Sequence, residues 1–176
     1  TKAFNVPHVE MVGYEADDLI ASYTKAAVSK GMKVTIVSSD KDLMQLVDDN
    51  ASMLDTMKNR TIKENEVIEK FGVKPNKVID VQSLAGDSVD NVPGVPGIGI
   101  KTAALLINEY DNLDKLIQNA SNIKQTKRRE SIIEFSEQAK VSRELVTLKN
   151  DITLPIPIED IQIQSIEPKK LISFLK

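Results

Sequence analysis

Cysteine is absent from the 176-residue sequence, and histidine occurs once, at His8. The first absence removes disulfides, thiolate metal sites and cysteine nucleophiles together. The second removes any histidine cluster as a set of metal ligands. No run of 18 or more apolar residues is present, so no segment reads as a membrane-spanning helix. The start of the chain lacks the basic, apolar and small-residue order of a signal peptide. Net charge is small as well, 23 Lys and Arg against 26 Asp and Glu, and 41% of residues are hydrophobic, which argues against disorder. The length suffices for one or two domains with a sizeable core. A soluble, intracellular protein is the default reading. A hard-cation site built from carboxylates stays open.

Charge is unevenly spread. Residues 1–100 hold 11 basic against 15 acidic side chains, 101–150 hold 9 against 7, and 151–176 hold 3 against 4. Such a pattern suits a carboxylate site beside a surface that meets phosphates, and ordinary variation over a solvated surface explains it equally. Thr1 is not an initiator Met. Ile166 to Lys176 reads as a helix entered at Glu167-Pro168, whose Leu171, Ile172, Phe174 and Leu175 have no later partner. Both ends read as cut, and the expectation is a piece of something larger.

Residues 6–12 partly alternate and predict a short edge strand closed by Gly13, with His8 at its surface. Ala16, Leu19, Ile20, Tyr23, Ala26 and Ala27 recur at helical spacing over 15–30, with Gly31 as the terminating glycine. Val34-Thr-Ile-Val37 reads as a buried parallel strand. A helix capped by Ser39 or Asp40 follows, and 52–55 with 61–62 predict a small hairpin. This is the strand–helix alternation of an α/β sheet. Beyond residue 63 helices are expected at 64–71, 75–85, 100–110, 112–119, 125–138 and 139–148. Pro155 and Pro157 make 151–158 an extended stretch.

Three acidic clusters stand at element edges: Glu15-Ala-Asp17-Asp18, Ser39-Asp40-Lys-Asp42 and Gly86-Asp87-Ser-Val-Asp90-Asn91. Each alone is explained as a helix cap or as a partner of the helix macrodipole. Together they fall where open α/β sheets bind ligands, beyond the carboxyl ends of strands. Seven carboxylates gathered there would repel one another, and Mg²⁺ or Mn²⁺ with oxygen ligands is the natural remedy. Two such ions suit phosphodiester cleavage. Val92-Pro-Gly94-Val95-Pro-Gly97-Ile98-Gly99-Ile-Lys101-Thr102 is a glycine-rich turn running into a helix. Its free backbone amides and Lys101 read as a phosphate cradle, resembling the hairpin of helix-hairpin-helix proteins, with a plain helix start after a loop as the alternative. The spacing is not that of a Walker loop. Lys127-Arg128-Arg129 reads as a solvated helix face or a phosphate contact, and Tyr14 as core packing or a base-stacking ring.

In order and spacing, Gly13-Tyr-Glu-Ala-Asp-Asp18, Ser39-Asp-Lys-Asp-Leu43, Leu84-Ala-Gly-Asp-Ser-Val-Asp-Asn91 and Pro93-Gly-Val-Pro-Gly-Ile-Gly99 resemble the 5′→3′ nuclease domains of bacterial DNA polymerases I, within the flap endonuclease family. The resemblance covers almost the whole chain. It implies that Glu15, Asp17, Asp18, Asp40, Asp42, Asp87 and Asp90 bind two Mg²⁺ or Mn²⁺ ions, with Asp17, Asp40, Asp42 and Asp87 catalytic. It implies duplex binding through Gly94, Gly97, Gly99, Lys101 and Thr102, and a monovalent cation such as K⁺ at the backbone of Val95 and Ile98.

The fold expected is α/β: a partial parallel sheet with flanking helices, a PIN-like nuclease core followed by a helix-hairpin-helix subdomain. The boundaries expected are 1–86 for the core, 87–150 for the DNA-binding helices, and 151–176 for an extended segment and terminal helix returning to the core. Family members carry roughly another hundred residues before the position of Thr1, with two further metal-binding aspartates and a helical arch. The chain is therefore expected to be the C-terminal portion alone, with the N-terminal part absent. Its partners would be DNA with a 5′ flap or branch, that N-terminal part and polymerase domains, in a cytoplasmic, nucleoid-associated protein acting in replication and repair. The competing reading is a non-catalytic, structure-specific DNA-binding module. A metal-dependent phosphatase, a third, would not need the hairpin.

Overall fold

The computed structural model describes residues 1–176. In chain order the elements are α1 (Ala16–Ser29), β1 (Val34–Val37), β2 (Ala51–Asp55), β3 (Arg60–Ile62), α2 (Glu64–Phe71) and α3 (Val78–Ala85). There follow α4 (Ile100–Tyr110), α5 (Leu113–Gln118), α6 (Thr126–Glu134), α7 (Ser136–Val146) and α8 (Pro168–Leu175). They pack as two units, Thr1–Met32 with Lys149–Lys176, and Lys33–Leu148.

In the first unit α1 opens with Asp17 and Asp18 in its first turn, where negative charge meets the positive end of the helix. It buries Leu19, Ala21 and Ala27. Pro155 and Pro157 keep the segment after Lys149 out of any ladder, so hydroxyls on α1 take over its backbone groups. Ser22 donates to the Lys149 carbonyl (3.2 Å) and accepts from the Ile152 amide (3.3 Å). Tyr23 donates to the Ile156 carbonyl (2.8 Å) and accepts from the Ile156 amide (3.2 Å). The strand predicted at 6–12 does not form. Pro7 has no amide to give, Val6 and Val12 face solvent, and the stretch joins no sheet, so its alternation has no face to bury.

The second unit holds a three-stranded sheet in the order β1-β2-β3. β1 lies parallel to β2, with Val34 opposite Ala51 and Val37 opposite Leu54. β2 and β3 form the predicted hairpin, with Asp55 opposite Arg60. Its turn is built by the Asp55 carboxylate, which accepts the amides of Met57 (3.0 Å) and Lys58 (3.2 Å). One sheet face is core: Ile36, Ala51, Met53 and Ile62 are buried. β1 departs from the expected fully buried strand, because it is an edge strand and Val37 is 63% exposed. The helix expected after Ser39 is one short 3₁₀ stretch, Asp42–Leu46, since only Leu43, Met44 and Val47 have core to cover. The break expected between 138 and 139 falls instead at Phe135, between α6 and α7.

Around the sheet's companion helices the centre is α3, whose Val78, Val81 and Leu84 are wholly buried against α4, α5 and α7. Its last turn ends at Gly86 with φ +69°, and Gly94 has φ +59°. The two backbones touch. A Cβ on Gly86 would stand 2.7 Å from the Val92 carbonyl oxygen and 2.9 Å from the Gly94 amide, and one on Gly94 would collide with the Gly86 amide. Gly97 also has positive φ, +78°, but open space around it. Gly94→Ala is therefore expected to destabilise the chain by about 3 kcal/mol, backbone strain plus clash, while Gly97→Ala costs only about 1–2 kcal/mol for its left-handed backbone. Urea unfolding of both variants checks the contrast, and equal losses would contradict it.

Candidate metal centre and hairpin

Where β1 ends, the chain turns sharply on its own side chains. The Ser38 hydroxyl accepts the Asp40 amide (3.0 Å), and the Asp40 carboxylate accepts the Asp42 amide (3.0 Å). These two contacts present Lys41 and Asp42 beyond the carboxyl end of the strand. From the other side, Gly86 ends α3 and delivers Asp87, whose amide and carbonyl pair with those of Val92 (both 2.8 Å). The Asp87 carboxylate also accepts the Val89 amide (2.9 Å), closing the turn that carries Asp90.

The Lys41 ammonium forms a short ion pair with Asp87 and lies 3.9 Å from both Asp42 and Asp90. Its hydrogen bond to Asp87 raises the Lys41 pKa above the ordinary lysine value, against the opposing effect of burial. The same bond holds Asp87 below the usual aspartate range. Asp42 moves the other way. Burial pushes its carboxyl up, and the nearby Asp40 and Asp90 add to that, while Gln82 and Lys41 act against it. Gln82, buried on α3, donates to Asp42 at 2.5 Å, and its own amide oxygen is buried without a partner.

Four carboxylates on two short segments supply only oxygen donors, the chemistry of a hard divalent cation. Three of them already converge on a cationic nitrogen. In this unit no three Asp, Glu or His side chains stand close enough to share one ion, and Lys41 lies among the carboxylates. Of the seven carboxylates singled out from sequence, Asp40, Asp42, Asp87 and Asp90 are thus brought together. Glu15, Asp17 and Asp18 belong to the first unit, at the start of α1. There Asp18 accepts the Glu15 amide (3.4 Å) and the Lys149 amide (2.9 Å). Tyr14 is neither core nor free, since its ring lies 5.2 Å from the Lys149 ammonium.

Sequence reading passed over Lys41 and Gln82. A lysine between two aspartates was the available signal for the first. Nothing local signals the second, because Gln82 meets Asp42 across 40 residues.

The hairpin is anchored from α7. Ser142, fully buried, accepts the Gly94 amide (3.0 Å), and Gln138 donates to the Gly94 carbonyl (2.7 Å). The Val95 amide donates to the Leu84 carbonyl (2.7 Å), and the Val95 carbonyl accepts the Ile98 amide (3.0 Å). Val95 and Ile98 are buried, whereas Gly97, Gly99 and Lys101 are exposed. Gly99 caps α4 without a side chain, so the amides of Lys101 and Thr102 are left for an external acceptor. Of the Lys127-Arg128-Arg129 run, Arg129 is spent on the Ile123 carbonyl (3.0 Å), and His8 is exposed in irregular chain.

Residues 1–72 match the family model described as 5′-3′ exonuclease, N-terminal resolvase-like domain, and residues 73–169 match 5′-3′ exonuclease, C-terminal SAM fold. The chain belongs to the 5′-3′ exonuclease family. It carries residues of both domains, which corrects the expectation of a C-terminal portion with the N-terminal part absent. That expectation looked for strands and ligands upstream and read the α1-β1-β2 alternation as the tail of a core, when the alternation itself matches the first domain.

A DNA polymerase I of Rhizobium leguminosarum is 53% identical over 176 residues, all of this chain and 17% of that protein. A 5′-3′ exonuclease of Aquifex aeolicus is 38% identical, covering 97% of this chain and 57% of its own length. The chain thus spans about a sixth of the first relative and little more than half of the second. Among solved structures, the D15 flap endonuclease of bacteriophage T5, a pseudo-enzyme-product complex with DNA and metal ions, superposes with a TM-score of 0.73. It is 26% identical, covering 79% of this chain and 52% of that one. No helix of this exonuclease-family chain is long and apolar enough to cross a membrane.

The Lys41–Asp87 pair makes stability depend on acid in a defined sense. Because the folded Asp87 pKa is depressed, its contribution is present above the unfolded value of about 3.9 and is lost as pH falls through the folded value. Lys41→Met is expected to flatten that acid limb and to lower stability at pH 7. Urea unfolding at a series of pH values from neutral to about 2 reads both effects, and an unchanged limb would contradict the pairing.

Proposed function

We propose that this chain is the metal-dependent 5′→3′ nuclease portion of a DNA polymerase I-type protein, hydrolysing phosphodiester bonds at 5′ ends and flaps of branched DNA during replication and repair. The observation that carries the reading is the convergence of Asp42, Asp87 and Asp90 on one cationic point beside Asp40, in a chain of this family. Asp40, Asp42, Asp87 and Asp90 would hold divalent ions, Mg²⁺ or Mn²⁺. Glu15, Asp17 and Asp18 stay in the ligand set on the family resemblance.

Ions bound there would supply an activated water and neutralise charge at the scissile phosphate. The chain's own residues do the rest. Lys41 holds the carboxylates together until it yields them, and Gln82 fixes the orientation of Asp42. Residues 87–150 grip duplex: the turn through Gly94, Gly97 and Gly99 brings backbone close, and Lys101 and Thr102 offer amides and one positive charge to a phosphate. A monovalent cation such as K⁺ at the Val95 and Ile98 carbonyls belongs to the same reading.

One observation favours the alternative of a non-catalytic, structure-specific DNA-binding module. No three carboxylates of the second unit stand close enough to share an ion. A labelled 5′-flap duplex with Mn²⁺ separates the two. The nuclease reading expects cleavage, lost by about a hundredfold or more in Asp40→Asn and Asp87→Asn, with duplex affinity held within severalfold. Retention of the flap without any cleavage would favour the module, and a double variant cutting at wild-type rate would remove these residues from the metal assignment.

A further inference from the structure

A cavity of about 280 Å³ opens beside the acidic cluster, between the β2–β3 hairpin and α2, entirely within the second unit. Its walls include Ser39, Asp55, Lys58, Arg60, Glu69 and Lys70. By count the charges cancel, since Glu66 also lines it. Their partners differ. Asp55 is occupied by the Met57 and Lys58 amides, Glu66 accepts the Lys63 amide (2.8 Å), and Glu69 is paired with Arg60. Lys58 and Lys70 have no carboxylate partner. The groups left without an ion pair or a backbone partner in the cavity wall are therefore two ammonium groups and a serine hydroxyl, while Asp55 and Glu66 keep their charges and direct them at backbone amides.

These two lysines also oppose one another. Lys70 is pushed below the ordinary lysine value first by burial, then by the positive charges of Lys41 and Lys58, with Asp42 and Asp40 acting the other way. Lys70 is thus within electrostatic reach of both the acidic cluster and Lys58. Ser39, in the cavity wall, is the residue next to Asp40. For two unpaired cations that line one cavity, an entering anion offsets their mutual repulsion. The volume admits a phosphate with part of its sugar.

We propose that this cavity is a phosphate-binding subsite in which Lys58, Lys70 and Ser39 hold a backbone phosphate of the DNA strand next to the one presented to Asp40 and Asp42. The inference rests on the nuclease reading above and extends it to a second point of grip. A strand held at the hairpin alone can pivot about it. A second phosphate held beside the carboxylates fixes where along the strand the reacting phosphate stands, which is positioning rather than bond chemistry.

The test compares the full chain, Lys58→Ala/Lys70→Ala and Lys101→Ala for binding to a 5′-flap duplex across a salt series in Ca²⁺, with thermal melts to verify folding. The double variant is expected to bind roughly three- to tenfold more weakly at about 0.1 M salt, with the slope of log affinity against log salt reduced by about 0.9 for one phosphate lost. Loss in Lys101→Ala with an unchanged, folded double variant would overturn the subsite and leave the nuclease reading standing. Absence of binding by the unaltered chain would instead overturn that reading and the subsite with it. Inorganic phosphate provides the remaining arm: if it raises the melting temperature of the chain but not of the double variant, while DNA binding is equal in both, the cavity takes free phosphate and the strand assignment is wrong.

Discussion

The close approach of the Gly86 and Gly94 backbones is the constraint on which the second unit depends. It is possible only because neither residue has a Cβ and both occupy the left-handed half of conformational space. Through it the C-terminal end of α3, which delivers Asp87, and the turn that enters α4 become one rigid piece. Ser142 and Gln138 then fasten that piece to α7 through the Gly94 amide and carbonyl. An acidic position and the start of α4 are thereby fixed relative to each other by backbone contact rather than by flexible side chains.

Charge supplies the second requirement. Asp40, Asp42, Asp87 and Asp90 cannot gather without a cation, and the chain carries one of its own in Lys41. An internal ammonium keeps the segments 38–42 and 86–91 folded toward each other, and a monovalent group leaves part of the negative charge uncompensated. Burial of Asp42 sharpens this, since its carboxyl is penalised for ionising where Asp87 is rewarded. The orphaned amide oxygen of Gln82 shows the same incompleteness, because a buried acceptor without a donor costs about 1–3 kcal/mol.

What was legible in the sequence was local. The β2–β3 hairpin, α1, α2 and α4 follow from turn residues, glycine stops and helical spacing, all within a few residues of one another. The acidic pairs at 40–42 and 87–90 were visible because each sits on a single turn. The segment at 6–12 misled, since alternation was present without a neighbouring strand to make it useful. Contacts over long separations carried no local sign: Gln82 to Asp42, Ser142 to Gly94, and Gln45, which accepts the Leu148 amide and donates to the Val146 carbonyl. The cavity at Lys58 and Lys70 belongs to this class, since nothing in either stretch pairs a hairpin turn with the end of α2.

The central claim is that a divalent cation takes the place that the Lys41 ammonium holds among Asp42, Asp87 and Asp90. Calorimetric titration of Mn²⁺ into the chain, into Lys41→Met and into Asp42→Asn/Asp87→Asn tests it most directly. The account expects saturable binding that is tighter in Lys41→Met, where no ammonium competes, and lost in the double variant. Equal affinity in all three proteins, or no saturable binding in any, would contradict it.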